Sequence, residues 1–243
     1  MEASKENRPV ITRILNKERP RTILDAPSGD GWIGKGLEYD VELTGVDLFE
    51  SAPEGYTGFC QADLDYGLPD HLGEFDAFVT CEGIEHVGNP LLLLEHAARH
   101  LVHGGLIIVT TPNTWFPASR LQFLIRGFFP SFPCLVGRIK RGTHMHITPW
   151  SFPHLFLYLK LAGYSDIQLH DVDEPKPRHF FERIFAMPQL HSCRKKAKAA
   201  TDDEEREFWK NAGSAQSIFG RRLVVTARKR QSNLDNIRLA HIH

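Results

Sequence analysis

Ile23-Leu24-Asp25-Ala26-Pro27-Ser28-Gly29-Asp30-Gly31-Trp32-Ile33-Gly34 is the stretch whose reading decides the fold. The apolar run from Thr22 to Leu24 reads as a strand. It ends in a carboxylate, Asp25, and enters a turn with little side-chain bulk. A helix is expected to open near Trp32. A strand feeding a helix through such a turn lets backbone N–H groups approach a ligand closely. About twenty residues further on, a second strand, Val41 to Val46, ends in Asp47, where a carboxylate can accept hydrogen bonds from both hydroxyls of a ribose. Together the two strand ends imply a cofactor that contains a nucleoside.

Gly29-x-Gly31-x-x-Gly34 fits the dinucleotide pattern, which alone is a weak signal. Asp25, however, stands where a dinucleotide fold would have its first glycine. Asp25-x-Pro27-x-Gly29-x-Gly31 instead resembles the first motif of class I S-adenosylmethionine (SAM) methyltransferases, D-x-G-x-G-x-G, with proline in place of the first glycine. Proline has a fixed φ and no N–H, so this position cannot donate to the ligand. The resemblance implies a Rossmann-like α/β fold: a mostly parallel seven-stranded sheet, an antiparallel last strand and helices on both faces. It also implies SAM held by Asp25, Pro27, Gly29, Gly31, Asp47, Leu48, Asp63, Leu64 and Cys81. In that family an acid at the place of Asp63 contacts the adenine amino group; the alternative is a plain turn aspartate before Tyr66-Gly67-Leu68-Pro69. Two other classes stay open. An NAD(P)-dependent oxidoreductase would use the same turn, but no Tyr-x-x-x-Lys hydride-site pattern is visible. A non-catalytic scaffold would keep the sheet and need neither Asp47 nor the Glu/His cluster described below.

A chain of 243 residues, 42% hydrophobic and 24% charged, suits one soluble α/β domain with insertions. The formal net charge of −1 offers polyanions no global attraction, so nucleic acid is not the expected partner. Cys60, Cys81, Cys134 and Cys193 form no C-x-x-C pair, as expected of a reducing cytoplasm without a structural zinc knot. Met1 to Arg8 lacks the apolar core of a signal peptide. The uncharged stretch from Gly127 to Gly137 is far short of the ~20 residues of a spanning helix.

Residues 1–20 are expected to form an N-terminal cap, with Val10, Ile11, Ile14 and Leu15 at helical spacing. Residues 21–230 form the main domain. Its third strand falls within Phe59 to Asp65 and its fourth is Phe75 to Cys81. Asn89-Pro90 opens a helix with core face Leu91, Leu94, Ala98 and Leu101, ended by Gly104-Gly105. Strand five is Leu106 to Thr110. Ser151-Phe152-Pro153 starts a further helix to Leu161, and strands Tyr164 to Val172 and Arg222 to Ala227 finish the sheet. Residues 189–216 read as a charged, solvated helical insertion, and residues 231–243 as a loose tail.

After strand four comes Cys81-Glu82-Gly83-Ile84-Glu85-His86-Val87. In an open α/β sheet ligands sit beyond the carboxyl ends of the strands, so this loop should border the reacting centre. With helical curvature, Glu82, Glu85 and His86 share a face. Two carboxylates and an imidazole there invite a divalent cation such as Mg²⁺, Mn²⁺, Fe²⁺ or Zn²⁺. The later Gly142-Thr143-His144-Met145-His146 offers a further ligand. This pair of motifs resembles the ubiquinone-pathway O-methyltransferases, which carry E-x-x-E-H-V and a later G-T-H, bind a divalent metal at E-x-x-E-H and associate with membranes. It is also similar to the small-RNA 3′-terminal 2′-O-methyltransferases, whose H-x-H-x-x-x-W is matched by His144-x-His146-x-x-x-Trp150. The second likeness implies His146 as the ligand and the first implies His144. The competing account is that Glu85 and His86 only structure the loop; His86, His144 or His146 would then act as general base.

Trp115 to Arg141 holds six aromatic residues, five basic ones and no acid. Such a segment can be a lid over the pocket, an interfacial segment at a lipid headgroup boundary, or a stacking platform for nucleic acid. A small-molecule, lipid-linked or glycan acceptor is expected, with peripheral membrane contact through 115–141.

Overall fold

The computed structural model describes residues 5–50, 52–132 and 145–230. Helix α1 (Arg8–Glu18) buries Val10, Ile11, Ile14 and Leu15, the four positions marked by helical spacing. Strands β1 (Thr22–Asp25), β2 (Glu42–Asp47), β3 (Gly58–Gln61) and β4 (Phe75–Cys81) follow, joined by short 3-10 turns. Helix α2 (Pro90–Arg99), β5 (Leu101–Pro112), α3 (Pro117–Arg126), α4 (Phe152–Leu161) and β6 (Tyr164–His170) come next. Helices α5 (Phe181–Ala199), α6 (Asp203–Ala212) and α7 (Ala215–Phe219) precede the last strand, β7 (Arg222–Lys229).

The seven strands lie in the order β3-β2-β1-β4-β5-β7-β6. β7 runs antiparallel to both β5 and β6, so the other six strands are parallel to one another. β4 and β5 are buried on both faces, hence their near-continuous apolar runs. The order reverses beside β1, and the crevice at the carboxyl ends of β1 and β4 is where a doubly wound sheet accepts a ligand.

Several local expectations shift. The helix expected to open near Trp32 does so, as a 3-10 turn of five residues, Trp32–Gly36. Asn89 caps α2 by accepting from the Leu92 N–H; Leu94 and Leu101 are buried as expected, Leu101 as the first residue of β5, whereas Leu93 and Ala97 take the fully buried places on the helix and Leu91 and Ala98 are only partly buried. Helix α2 stops at Arg99, and Gly104-Gly105 belongs to β5, where pairing with β4 jumps from Leu101 to Leu106; Gly104, at φ +73, supplies the irregularity. β6 and β7 pair without being a tight hairpin, because α5, α6 and α7 intervene. The charged run lies on α5 and α6 and is not simply solvated: Cys193 and Ala212 are buried, and Phe208 and Trp209 pack on the main core. Residues 231–243 and the segment 133–144, with Cys134 and His144, lie outside the described residues.

Candidate active site

At the end of β1, Asp25 is almost fully buried and its Oδ2 accepts a hydrogen bond from the Tyr56 hydroxyl at 2.6 Å. Burial pushes the Asp25 carboxyl up to about 7; the Tyr56 bond opposes that, and the charges of Asp47 and Asp30 add to it. Gly29 and Gly31 both have positive φ, +52 and +67. A Cβ on Gly31 would lie 2.3 Å from Pro53 Cβ, so the turn needs glycine there for space as well as conformation. Asp47, at the end of β2, reaches back to the turn: its Oδ2 accepts from the Gly29 N–H at 2.9 Å and its Oδ1 from Phe49 N–H at 3.3 Å. An ionised carboxylate has about four lone-pair sites, so this leaves acceptor capacity for a ribose.

Pro27 has a structural partner that the motif alone does not reveal. A Cβ placed on Gly83 would lie 2.2 Å from Pro27 Cδ and 2.7 Å from its Cγ. The proline ring therefore sits directly on the loop after β4, and the loop can take it only because residue 83 is glycine. Leu48 is half-buried and its carbonyl accepts from Gln61 Nε2, bracing β2 against β3. Asp63 caps a 3-10 turn, Leu64–Tyr66, accepting from the Asp65 N–H at 3.0 Å, and Leu64 is buried beneath it. Cys81 is buried at the end of β4; burial first and the Asp25 charge second push its thiol well up, so it stays neutral and un-nucleophilic.

The loop after β4 divides the three residues expected to share one face. Glu82 has φ +49 and its Oε1 accepts from Asn7 Nδ2 at 3.0 Å, tying the loop to the residue before α1. Helical curvature begins only at Ile84–His86, and Glu82 lies outside the cluster those residues form with His146, although its charge still helps to raise the Glu85 pKa. Glu85, His86 and His146 do converge, each offering a ligand atom within 4.8 Å of the others. The backbone explains how: Glu85 O accepts from both Ile147 and Thr148 N–H, at 2.7 and 3.2 Å, and zips the later segment onto the loop. The His86 and His146 rings meet edge to face, centroids 4.9 Å apart. Glu85 is 2% exposed, accepts from Thr111 Oγ1 at 3.0 Å, and is pushed up to about 8, mainly by burial. His86 Nδ1 lies 2.9 Å from Met145 O. A carbonyl only accepts, so Nδ1 carries a proton; in the neutral ring Nε2, 3.8 Å from Glu85 Oε1, holds the lone pair.

Rings continue outward from this cluster. His146 packs on Phe132 (5.6 Å), Phe132 on Phe129 (6.4 Å), and Phe129 stacks on Phe123 (4.5 Å), which is exposed on α3. Tyr56, Asn7 and Thr111 were not marked as site residues from sequence. Tyr56 sits in the β2–β3 connection and meets Asp25 only after folding, and no local pattern announces it.

Residues 2–169 match the family model described as a methyltransferase domain. Over 146 residues the chain is 32% identical to a protein named ubiquinone biosynthesis O-methyltransferase from Maricaulis maris, covering 54% of each chain. Over 162 residues it is 24% identical to a protein of the same name from Aromatoleum aromaticum, covering 61% of this chain and 66% of the relative. The chain thus spans about half to two thirds of the length of these relatives. Among solved structures, the YcgJ protein from Bacillus subtilis superposes with a TM-score of 0.56 at 14% identity, covering 94% of this chain and all (100%) of that one. Human N-acetylserotonin methyltransferase in complex with SAM gives 0.51 at 15% identity, covering 93% of this chain and 52% of that one. These structures share the fold. Because the family model spans well over half of the sequence, the chain belongs to the class I SAM-dependent methyltransferases rather than to the dinucleotide-dependent oxidoreductases.

Proposed function

We propose that the protein methylates an oxygen of a small or lipid-linked acceptor, with a divalent cation held by Glu85, His86 and His146. The convergence of those three side chains carries the reading. The donor set, one carboxylate and two imidazoles, suits Zn²⁺, Mn²⁺ or Fe²⁺ better than Mg²⁺. Its surroundings fit too: Thr111 orients Glu85, and the Met145 carbonyl fixes the His86 tautomer that leaves Nε2 as a ligand. A cation bound there would lower the pKa of an acceptor hydroxyl.

The chain's own residues do the rest. Asp47 and the Gly29–Gly31 turn would hold the nucleoside, with Asp63 and Leu64 at its base and Asp25 near the sulfonium end. SAM supplies the electrophilic methyl, and the protein contributes positioning and exclusion of water. Without a cation, His146, whose pKa burial lowers, is neutral near pH 7 and able to take the acceptor proton. The names of the ubiquinone-pathway relatives and the ring ladder from Phe123 to His146 support an apolar acceptor. No helix among the described residues is long and apolar enough to cross a membrane. Contact with a bilayer would be peripheral, through exposed Phe123, Leu124, Ile125 and Phe128.

The test is to strip divalent ions with a chelator and assay methyl transfer to a prenylated phenol, then restore each metal. Loss and rescue are expected, with SAH affinity unchanged. Full activity in chelator removes the cation; loss of SAH binding in untreated protein removes the methyltransferase reading itself.

A further inference from the structure

Arg120, on α3, has no counter-charge among the described residues. Its Nε and Nη2 are buried and make no hydrogen bond. These are the two nitrogens whose N–H bonds point the same way along one edge of the guanidinium, the edge that binds an oxyanion with two parallel bonds. No Asp or Glu occurs between Glu95 and Asp166, so the segments flanking α3 hold no acid to answer it. Acids on the neighbouring elements are already engaged. Glu182 of α5 is fully buried and bound by Arg221 at 2.5 Å, and Glu174 pairs with Arg222 at 3.2 Å and Arg178 at 3.5 Å. Arg221 itself lies over the Phe116 ring and is committed to Glu182. Burial lowers the Arg120 pKa, the signature of a desolvated cation without compensation.

Arg120 lines a cavity of about 310 Å³ between α3, α5, α7 and the start of α4, together with Trp115, Ser151, Pro153, Gln189 and Ser217. Gln189 and the two serines can hydrogen-bond an anion, and Trp115 and Pro153 give an apolar wall. None of these residues belongs to the cofactor turn or to the Glu85–His86–His146 cluster. The geometry points to a second ligand site here: the Arg120 edge binds an oxyanion, a phosphate or carboxylate group, with apolar substance against Trp115. The group can come from a free anion or from a phospholipid headgroup, since the exposed apolar side of α3 lies on the same helix. The site stands whether or not a metal is used in methyl transfer.

Inorganic phosphate and acetate are titrated into the intact protein by calorimetry and tryptophan fluorescence, and phosphatidylcholine and phosphatidylglycerol vesicles are tested by co-sedimentation. Arg120→Gln is expected to weaken oxyanion binding at least about tenfold, with SAH affinity unchanged, and Arg120→Lys to recover only part of it, because an ammonium lacks the two-bond edge. Gln189→Trp, which fills the cavity and keeps the charge, should also abolish binding and serves if Arg120→Gln fails to fold. Binding of small anions assigns a free oxyanion; binding only of phosphatidylglycerol vesicles, lost in both variants, assigns a headgroup. No binding by either probe, or binding that survives both variants, overturns the site.

Discussion

The Tyr56 hydroxyl donates to Asp25 at 2.6 Å and so joins the β2–β3 connection to the acid that closes β1. The Tyr56 ring also lies against the cofactor turn: a Cβ on Gly31 would be 3.0 Å from its Cε2. One side chain thus holds both the carboxylate and the loop that follows it. Asp25 has a folded pKa of about 7, well above the ordinary carboxylate value of 3.8. A carboxyl raised in this way stabilises the fold fully below about pH 4, and that contribution is lost as pH rises through about 7. Ligand-free protein should therefore melt at a lower temperature at pH 8 than at pH 5, and Asp25→Asn should reduce that difference, leaving the share that comes from Glu85. Tyr56→Phe removes the donor that favours the ionised form and moves the loss to higher pH. It should also cost about 1–2 kcal/mol above neutrality, where a charged acceptor loses its bond. A pH series of thermal melts on the three proteins checks this; identical profiles for wild type and Asp25→Asn would contradict it.

Gly83 is the second sensitive point. Its backbone is ordinary, so the reason for glycine is space alone: a methyl group would overlap the Pro27 ring. Gly83→Ala should cost roughly 1–3 kcal/mol as an overpacked contact and weaken SAH binding by pushing the two loops apart. Combining it with Pro27→Gly should restore most of both losses, which a double-mutant cycle by melting and calorimetry measures.

Asp47 tests the cofactor assignment. Its carboxylate holds the Gly29 N–H, and it is the group assigned to the ribose hydroxyls. Asp47→Ala should weaken SAH at least about tenfold, the scale of losing hydrogen bonds to a charged acceptor. Asp63→Ala, which loses a turn cap as well, should act less on binding than on stability. Unchanged SAH affinity in Asp47→Ala would move the nucleoside elsewhere.

Elements with a strong period were legible. The face of α1 and the limits of β4 follow directly from apolar spacing. The face of α2 was not, because Leu91, Leu92, Leu93 and Leu94 are consecutive, and four leucines in a row fit two adjacent helical faces equally well. Relations between distant segments were legible only where chemistry marked both ends, as with E-x-x-E-H and the later H-x-H. Glu82 shows the limit. Its left-handed backbone, which turns it toward Asn7, has no signal in residue type, since non-glycine residues adopt that conformation only when their surroundings impose it. Tyr56 and Arg120 were missed for the same reason: each takes its meaning from a neighbour far away in sequence.

The aromatic segment divides two roles between neighbouring residues. Phe129 is only 7% exposed and belongs to the ring ladder, whereas Leu124 and Ile125 are 80% and 72% exposed. Phe129→Ala should therefore cost about 3 kcal/mol or more of local packing and lower methyl transfer, with little effect on vesicle binding. Leu124→Ser with Ile125→Ser removes no buried contact, so melting temperature and SAH affinity should hold while flotation with phosphatidylglycerol vesicles falls. The two variants fail in opposite assays only if the segment is both lid and lipid contact. Equal flotation of the double-serine variant and wild type would leave it a lid alone, and a Phe129→Ala protein with full activity would leave it a surface element.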